Sequence, residues 1–516
     1  MTELFFIDYR DDSPQNTSVQ KQKRNFAQRN YQRKKRLAAI ERLKTSTTES
    51  GRAEKSKQDA SESGAAPTGT DTPLTPVVDF GSPKTLLGQG FVDPLFTNIF
   101  PMTGLMNSYF HQLRNFTIPG AYPLDKSRMS VWWWQQGLSQ PVIQLALLVS
   151  AAGHQTAMHA LNNAPSKYSQ QSVREFLRLR GDMIKMLNGL LLNPALAKST
   201  VLIVGSLRAI EAIEGNVEAA TAHTKGLEVL IQLNGGLDAL DHMIVSKIYH
   251  GDILTAALTN KPPALPLIAS WRSEILQETK IIHSTGNLIS QLSNKIKIAS
   301  QLSLLGTSFF ASPWYQDLEE SMKNFLHISQ HLIQYYEIAR LQPSIVMPTD
   351  NDLFVLLEYQ LISTRYTPLP HASCTVSSLL NKLLHITLFI YLNIRVWHFQ
   401  VFPIMQYLVN DLQKSLLPTT PIPLLVHVKK TAPDLLFWIL FIGGMASKGH
   451  EGHEWFIVQL TELTLYLEIH DWEEARSILG GFFYTDQPGQ RGGEELWEQV
   501  VSAQARARAT DDIRYS

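Results

Sequence analysis

The side chains in this sequence that are best suited to contact a charged partner are basic and lie near its N-terminus. Residues 21 to 44 contain ten Lys or Arg side chains and a single acidic one. The run lacks Gly and Pro, so it can form a helix, which would place Asn25, Arg29, Arg33 and Arg36 along one narrow stripe. Guanidinium groups on such a stripe can contact DNA phosphates or guanine edges in a major groove. We therefore predict a DNA-binding segment whose contacting residues are Lys21, Lys23, Arg24, Asn25, Arg29, Arg33, Lys34, Lys35 and Arg36.

The same basic run is also typical of a nuclear localisation signal or of a solvated tail. The stretch Ala27-Gln28-Arg29-x-Tyr31 resembles the fungal form of a basic-leucine-zipper basic region. However, Arg24 occupies the place of that region's asparagine, and the apolar repeat Leu37, Ile40, Leu43 stops before a third heptad. Because a zipper needs three or more heptads, we predict that no zipper dimer forms.

Histidine clusters elsewhere in the chain do not have the spacing that metal chemistry requires. His450-Glu451-Gly452-His453-Glu454 superficially suggests a zinc protease, but its histidines are three residues apart instead of four, and a glycine separates them. We predict a polar loop there. His223 has no second metal-binding side chain at ligand spacing on its helix, so we predict a hydrogen-bonded structural histidine. No P-loop, kinase or Gly-x-Ser-x-Gly signature occurs, and we predict a protein that is not an enzyme and holds no metal or cofactor.

Charge is unevenly distributed along the 516-residue chain, although the formal total is zero. Outside residues 21 to 44 the chain holds 36 basic and 45 acidic side chains, a net charge of −9. The single cysteine, Cys374, excludes a disulfide framework and the six-cysteine binuclear zinc cluster. The longest uncharged apolar run, residues 435 to 447, is too short to span a bilayer. We expect a soluble intracellular protein with no membrane partner.

Composition divides the chain into four parts. Residues 1–44 form the basic N-terminal segment, and residues 45–85, which are rich in small and polar side chains, form a linker that we predict to be disordered. Residues 86–505 form an all-α body, because amphipathic helical runs alternate with prolines and glycines, and residues 506–516 form a tail. The predicted helices are 141–158, 172–192, 237–260, 285–305, 315–341, 350–362, 375–397, 402–416, 431–446, 451–467 and 471–483.

Residues 199–237 organise this body, and they predict two helices folded back on each other. Gly215 and Asn216 form the corner, where the glycine ends one helix and the asparagine caps the next. Gly226 lies inside the second helix, where glycine costs about 1 kcal/mol relative to alanine. We therefore predict that the helix backbone at Gly226 is pressed against a neighbour.

The second helix of this hairpin also carries a family resemblance. The pattern His223-x-x-Gly226-Leu227-x-x-Leu230-Ile231, followed by Gly235-Gly236-Leu237, resembles the core of the fungal-specific transcription factor domain. Residues 88–94 resemble the entry segment of that family, and residues 438–444 resemble part of its closing helices. The resemblance covers about residues 86 to 500. It implies an all-α regulatory domain of a fungal protein, of the kind that carries a basic stretch where its relatives carry a zinc cluster.

These features together predict a nuclear transcriptional regulator that binds DNA through residues 21–44. The resemblance implies other transcription proteins as partners and control of a metabolic or biosynthetic gene set, and it leaves a homo- or hetero-oligomer open. Two alternatives remain. One is a co-regulator that does not bind DNA and whose basic run directs nuclear import. The other is a metabolic protein whose helical body binds a small molecule.

Overall fold

The protein consists of helices joined by turns. A computed structural model describes residues 104–122, 124–161, 166–192, 198–278, 288–289, 296–366, 375–417, 424–486 and 492–515. No strand occurs among these residues, and the predicted all-α fold class is confirmed. All of them belong to one compact unit. The basic segment 1–44 and the linker 45–85 lie outside the described residues, as do residues 86–103 at the start of the predicted body.

The first part of the body ends at residue 278. Its helices are α1 (Gly104–Gln112), α2 (Ile118–Ala121), α3 (Lys126–Ser139), α4 (Pro141–Leu161), α5 (Ser166–Leu191), α6 (Lys198–Ile213), α7 (Val217–Leu233), α8 (His242–Thr259) and α9 (Ala269–Glu278). A π-helical turn, Leu113–Thr117, joins α1 directly to α2. Helix α4 packs against α5, while α6 packs against both α7 and α8. Helix α6 is therefore held between two neighbours.

The second part of the body begins at residue 296. Its helices are α10 (Ile296–Leu304), α11 (Thr307–Ala311), α12 (Glu320–Leu341), α13 (Asp350–Arg365), α14 (Val376–Arg395), α15 (Ile404–Leu416), α16 (Leu424–Thr431), α17 (Pro433–Ala446), α18 (His453–Tyr466), α19 (Trp472–Gly481) and α20 (Gly492–Tyr515). Helix α13 packs against α8 of the first part. Most of the predicted helices in this part begin and end within a few residues of the observed ones.

The predicted hairpin of residues 199–237 is confirmed as helices α6 and α7. Gly215 has a φ of 73°, in the left-handed region that glycine adopts without strain. The Asn216 side chain accepts a hydrogen bond of 3.3 Å from the backbone N–H of Ala219, which caps α7. The Tyr407 hydroxyl donates to the carbonyl oxygen of Gly215 at 3.1 Å, so α15 holds the corner in place. Gly226 is only partly buried, and the close contact predicted for it stays a prediction.

The centre of the core is formed by α14 and α17, which pack against each other. Helix α17 is buried along residues 435–444 without interruption, because it is apolar on every side. Trp438 is fully buried on this helix, and its indole N–H donates a hydrogen bond of 2.9 Å to the carbonyl oxygen of Phe483. A helix of this kind has no solvent face, so the remaining helices must cover it.

Two buried ion pairs hold α6 against its neighbours. Arg208 on α6 lies 3.1 Å from Asp252 on α8, and both side chains are at most 1% exposed. Arg180 on α5 pairs with Glu211 on α6, where both side chains are fully buried. A buried charge that loses its partner is strongly unfavourable, so these pairs fix the relative positions of α5, α6 and α8.

Glycine is required where α17 passes its neighbours. A Cβ atom built on Gly443 would lie 2.3 Å from Cε1 of Phe456 and 2.9 Å from Cδ2 of Leu412. We expect Gly443→Ala to lower the free energy of unfolding by about 1–3 kcal/mol through overpacking, despite the better helix propensity of alanine. Urea unfolding followed by far-UV circular dichroism measures this change. Gly189→Ala is the matched control, because Gly189 is an exposed helical glycine with no other atom within 4 Å of a built Cβ, and it should be neutral or stabilising. Equal midpoints for the two variants would contradict the close approach.

Candidate functional site

A cavity of about 730 Å³ lies within the helical body. Small-molecule sites in proteins typically measure about 300–1,000 Å³, so the cavity has the size of a ligand site. Its walls come from the π-helical turn and α2, from α4, α6 and α8, and from the segments 394–402, 445–448, 484–485 and 492–495. A π-helical turn inside a longer helix frequently accompanies a functional site.

Aromatic side chains form a large part of the cavity wall. Trp133 donates a hydrogen bond of 2.9 Å from its indole N–H to the hydroxyl of Tyr122, which fixes both rings. Trp397 donates in the same way to Oε1 of Glu358, also at 2.9 Å. Phe399 and Phe402 follow in the short turn after α14 and line the cavity as well. Because these indole N–H groups are already satisfied within the protein, the walls present mainly apolar ring surfaces.

Lys247 brings a cation into this aromatic cavity. It lies on α8, and its Nζ atom is 3.5 Å from the centre of the Tyr122 ring. No carboxylate lies within ion-pair distance of Nζ in the part of the chain that the structure describes. Asp352 exerts an attraction on Lys247 but is bonded elsewhere, since His242 lies 2.8 Å from its Oδ2 and Ser246 donates to its Oδ1. Burial lowers the pKa of Lys247 to about 7, and Asp352 only partly offsets this effect.

His250 lies one helical turn after Lys247 and lines the same cavity. Its ring centre is 4.4 Å from that of Trp397, and it stacks on Phe399 at 5.8 Å. Burial, together with the nearby Lys247 charge, lowers the pKa of His250 to about 3, so the imidazole is neutral at pH 7. Its Nε2 atom has no hydrogen-bond partner among the described residues. A neutral imidazole with an unpaired nitrogen can still donate or accept one hydrogen bond with a ligand.

Two further histidines complete the polar lining. His154 on α4 has Nδ1 at 3.0 Å from the hydroxyl of Thr117 in the π-helical turn. His398 follows α14 with a φ of 54°, in the left-handed region. Burial lowers the pKa of His154 and of His398 to about 4, so both rings are neutral at pH 7. The histidines of the cavity therefore supply hydrogen-bonding groups without charge.

The remaining charged groups of the cavity already have partners. Lys448 forms an ion pair with Glu495, and their side chains are 43% and 41% exposed. Glu214 at the end of α6 also has an interaction partner within the chain. Lys247 differs from these groups in having no ion-pair partner among the described residues.

Neither of the two cavity serines, Ser150 and Ser206, is an activated nucleophile. Ser150 donates to the carbonyl oxygen of Ala146 at 3.0 Å, and Ser206 donates to that of Leu202 at 2.8 Å. Each serine proton is thus held by its own helix backbone and not by a general base, whereas nucleophilic catalysis requires a base within hydrogen-bond reach. The described residues contain no group of three or more His, Cys, Asp or Glu side chains that could hold a metal ion. The arrangement is chemically suited to binding.

The residues predicted to bind DNA all lie outside the described part of the chain, so their prediction stays untested. The loop predicted at residues 450–454 is observed only over residues 450–452, where Nε2 of the His450 ring donates a hydrogen bond of 2.8 Å to the carbonyl oxygen of Gln400, because α18 begins at His453. His453 lies 2.9 Å from both Ser447 and Gln499 through its two ring nitrogens. His223 is buried on α7 and does not line the cavity.

Sequence reasoning missed the cavity residues on α8. That helix was predicted as 237–260, but no role was predicted for Lys247 or His250. The available signal was weak: a lysine, a histidine and an aspartate interrupt a helix that is otherwise apolar on nearly every side. Such a helix has no solvated face to receive a charge, so a charged residue on it points to an internal partner or an internal cavity.

None of the described helices is both long enough and apolar enough to span a bilayer. No protein-family model matches the chain, and neither a curated protein nor a solved structure is significantly similar to it.

Proposed function

We propose that this protein is a nuclear transcriptional regulator that contacts DNA through residues 21–44 and binds a small-molecule effector in the cavity of its helical body. The observation that carries the proposal is that one chain combines a strongly basic segment with an all-α body containing a ligand-sized cavity. The basic segment supplies ten positive charges, whereas the rest of the chain has a net charge of −9. DNA affinity must therefore come from the segment, since the remainder of the chain repels phosphate on average.

The cavity supports the effector part of this proposal. A transcriptional regulator that responds to a metabolite needs a binding site separate from its DNA-contacting residues. The aromatic walls, the neutral histidines and Lys247 provide the mostly apolar lining with few polar groups that small-molecule sites have in general. The resemblance to the fungal-specific transcription factor domain supports the same assignment through residues 223–237 and 438–444.

The DNA-contacting role can be tested with the stripe formed by Arg29, Arg33 and Arg36. We expect the triple variant Arg29→Gln/Arg33→Gln/Arg36→Gln to bind a mixed-sequence DNA duplex more weakly than the parent. The slope of log affinity against log salt concentration should be shallower by about 0.9 for each lost phosphate contact, because fewer counterions are released. Fluorescence anisotropy with the full-length protein across a salt series measures both quantities.

A matched control removes the same charge from the other faces of the predicted helix. Lys23→Gln/Lys34→Gln/Lys35→Gln also deletes three positive charges, but none of them lies on the stripe. We expect this control to lose less affinity than the stripe variant. Equal affinities and slopes for the parent and the stripe variant would eliminate the stripe as the DNA reader. If the stripe variant also fails to enter the nucleus, the co-regulator alternative would replace DNA binding.

The cavity also favours a second candidate, a metabolic protein whose helical body binds a small molecule. Turnover of a bound metabolite by a protein that does not bind DNA would establish this function. The two cavity serines have no general base within hydrogen-bond reach, and this candidate gives the basic segment no role, so the regulator is our first proposal.

A further inference from the structure

We propose that the ligand of the cavity is an apolar organic acid, with an aromatic or hydrocarbon body against the aromatic walls and a carboxylate paired with Lys247. The inference rests on the proposed effector-binding function and specifies the chemical class of the effector. It assigns Lys247 as the residue that recognises the acid group.

The first argument is the charge of Lys247. With a pKa of about 7, Lys247 is about half protonated at pH 7, and its ammonium form has no ion-pair partner among the described residues to offset its desolvation. The Tyr122 ring at 3.5 Å offers only a cation–π contact, which is weaker than a carboxylate partner in the same surroundings. A ligand carboxylate would provide the missing opposite charge and favour the ammonium form of Lys247, which is part of the cavity lining.

The second argument is the position of His250. It follows Lys247 by three residues on α8, so both side chains lie on the same face of the helix and both line the cavity. The Nε2 atom of this ring has no partner among the described residues and almost no exposed surface, so it can donate to an acid group once the ring rotates towards the cavity. A carboxylate has two oxygens, and the two residues together provide a donor for each.

The third argument is that the other cavity charges are already engaged. Glu495 is paired with Lys448, and Glu214 has an interaction of its own within the chain, so both carboxylates of the cavity are engaged. On the side of α8 that faces α6, Arg208 is paired with Asp252. Asp352 on α13 is held by His242 and Ser246. The unpaired charge in the described cavity is therefore positive, which selects an anion.

The experiment compares three probes that share one naphthalene body and differ in charge. These probes are 2-naphthoate, neutral 2-naphthamide and cationic 2-naphthylmethylammonium, and isothermal titration calorimetry with the full-length protein measures their affinities. We expect 2-naphthoate to bind about tenfold to a hundredfold more tightly than 2-naphthamide, because its hydrogen bond with Lys247 is charge-assisted. The cationic probe should bind most weakly.

Variants of Lys247 then test the residue itself. Lys247→Met removes the charge while keeping most of the side chain, and it should abolish the preference for the acid while leaving the affinity for 2-naphthamide nearly unchanged. Lys247→Arg should retain the preference, and Lys261→Met, a loss of an exposed lysine just after α8, should behave like the parent. If Lys247→Met does not fold, the probe preference of the parent and of Lys247→Arg still decides the question.

Several outcomes would overturn the inference. Equal affinities for the three probes in the parent would remove the anion site while leaving the cavity as a ligand site. A preference for the cationic probe would show that the cavity selects cations and not anions, which contradicts the proposed acid site. Absence of binding by all three would overturn both the acid site and the effector-binding part of the proposed function. DNA binding by the same protein is measured separately, so failure of the regulator function is distinguishable from failure of the acid site.

Discussion

Arg208→Met is expected to lower the free energy of unfolding by about 3–5 kcal/mol, the cost of leaving one partner of a buried ion pair uncompensated. Arg208 pairs with Asp252 at 3.1 Å and also donates to the carbonyl oxygen of Ile248, so it connects α6 to α8 twice. Burial raises the pKa of the Asp252 carboxyl even with Arg208 present, which shows how little solvent reaches this carboxylate. Urea unfolding at pH 7 measures the change in free energy.

Two companion variants separate loss of the charge partner from loss of packing. In Arg208→Met/Asp252→Asn the buried charge is removed, while the asparagine oxygen can still accept the hydrogen bond that Asp252 receives from the backbone N–H of Leu265 at 2.9 Å. We expect this double variant to regain most of the lost stability. Arg178→Met removes an arginine that is 47% exposed and paired with Glu175, and it should cost about 1 kcal/mol or less. If Arg208→Met is no more destabilising than Arg178→Met, the buried pair does not have the assigned role.

The second large effect is a pH dependence that arises from Glu358. This residue is fully buried on α13, where burial raises the pKa of its carboxyl from 4.5 to about 8, opposed by the hydrogen bond from Trp397. Between these two pH values the folded protein keeps a proton that the unfolded chain releases, so stability falls as pH rises. The contribution is fully present below about pH 4.5 and is lost as the pH rises through 8. At about 1.4 kcal/mol per pH unit, the total change is roughly 5 kcal/mol at most.

Glu358→Gln is expected to remove this dependence. The glutamine oxygen can accept the hydrogen bonds that Glu358 receives from Trp397 at 2.9 Å and from Asn393 at 3.4 Å, and glutamine does not ionise. The variant should therefore be more stable than the parent at pH 8, and the difference should shrink towards pH 5. Urea unfolding across pH 5 to 9 gives the comparison, with Glu462→Gln as the exposed control on α18. Parallel pH profiles for the parent and Glu358→Gln would show that Glu358 does not titrate in this range.

The Glu358 prediction also concerns the cavity, because Trp397 forms part of its wall. Ionisation of Glu358 would place a negative charge beside the indole N–H on the far side of that wall. The loss of stability expected between about pH 4.5 and pH 8 therefore affects the support of the candidate site, and the probe titrations described above should be performed below pH 8.

Sequence alone determined the helices and several of their ends, because these depend on residues a few positions apart. The glycine–asparagine corner at 215 and 216 predicted both the end of α6 and the cap of α7. Helix α15, predicted as 402–416, is observed as Ile404–Leu416. The errors are also local: residues 315–341 were predicted as one helix, but a 3-10 turn at Pro313–Asp317 precedes α12, which begins at Glu320. Of the helix predicted at 285–305, residues 288–289 and 296–304 are helical, and residues 285–287 and 290–295 lie outside the described part of the chain.

Only the tertiary structure decided where the candidate site lies. Tyr122, Lys247 and Trp397 meet around one cavity although more than a hundred residues separate each from the next along the chain. Nearly all residues of α8 are buried, so the periodicity of the sequence identifies the helix but not its orientation. It does not show which side of α8 packs against another helix and which side lines the cavity. The partner of Arg208 was equally undetermined, since Asp252 becomes its neighbour only when α6 packs on α8. Helices follow from short-range hydrogen bonding and side-chain pattern, whereas the charge left unpaired in the cavity depends on how distant helices pack.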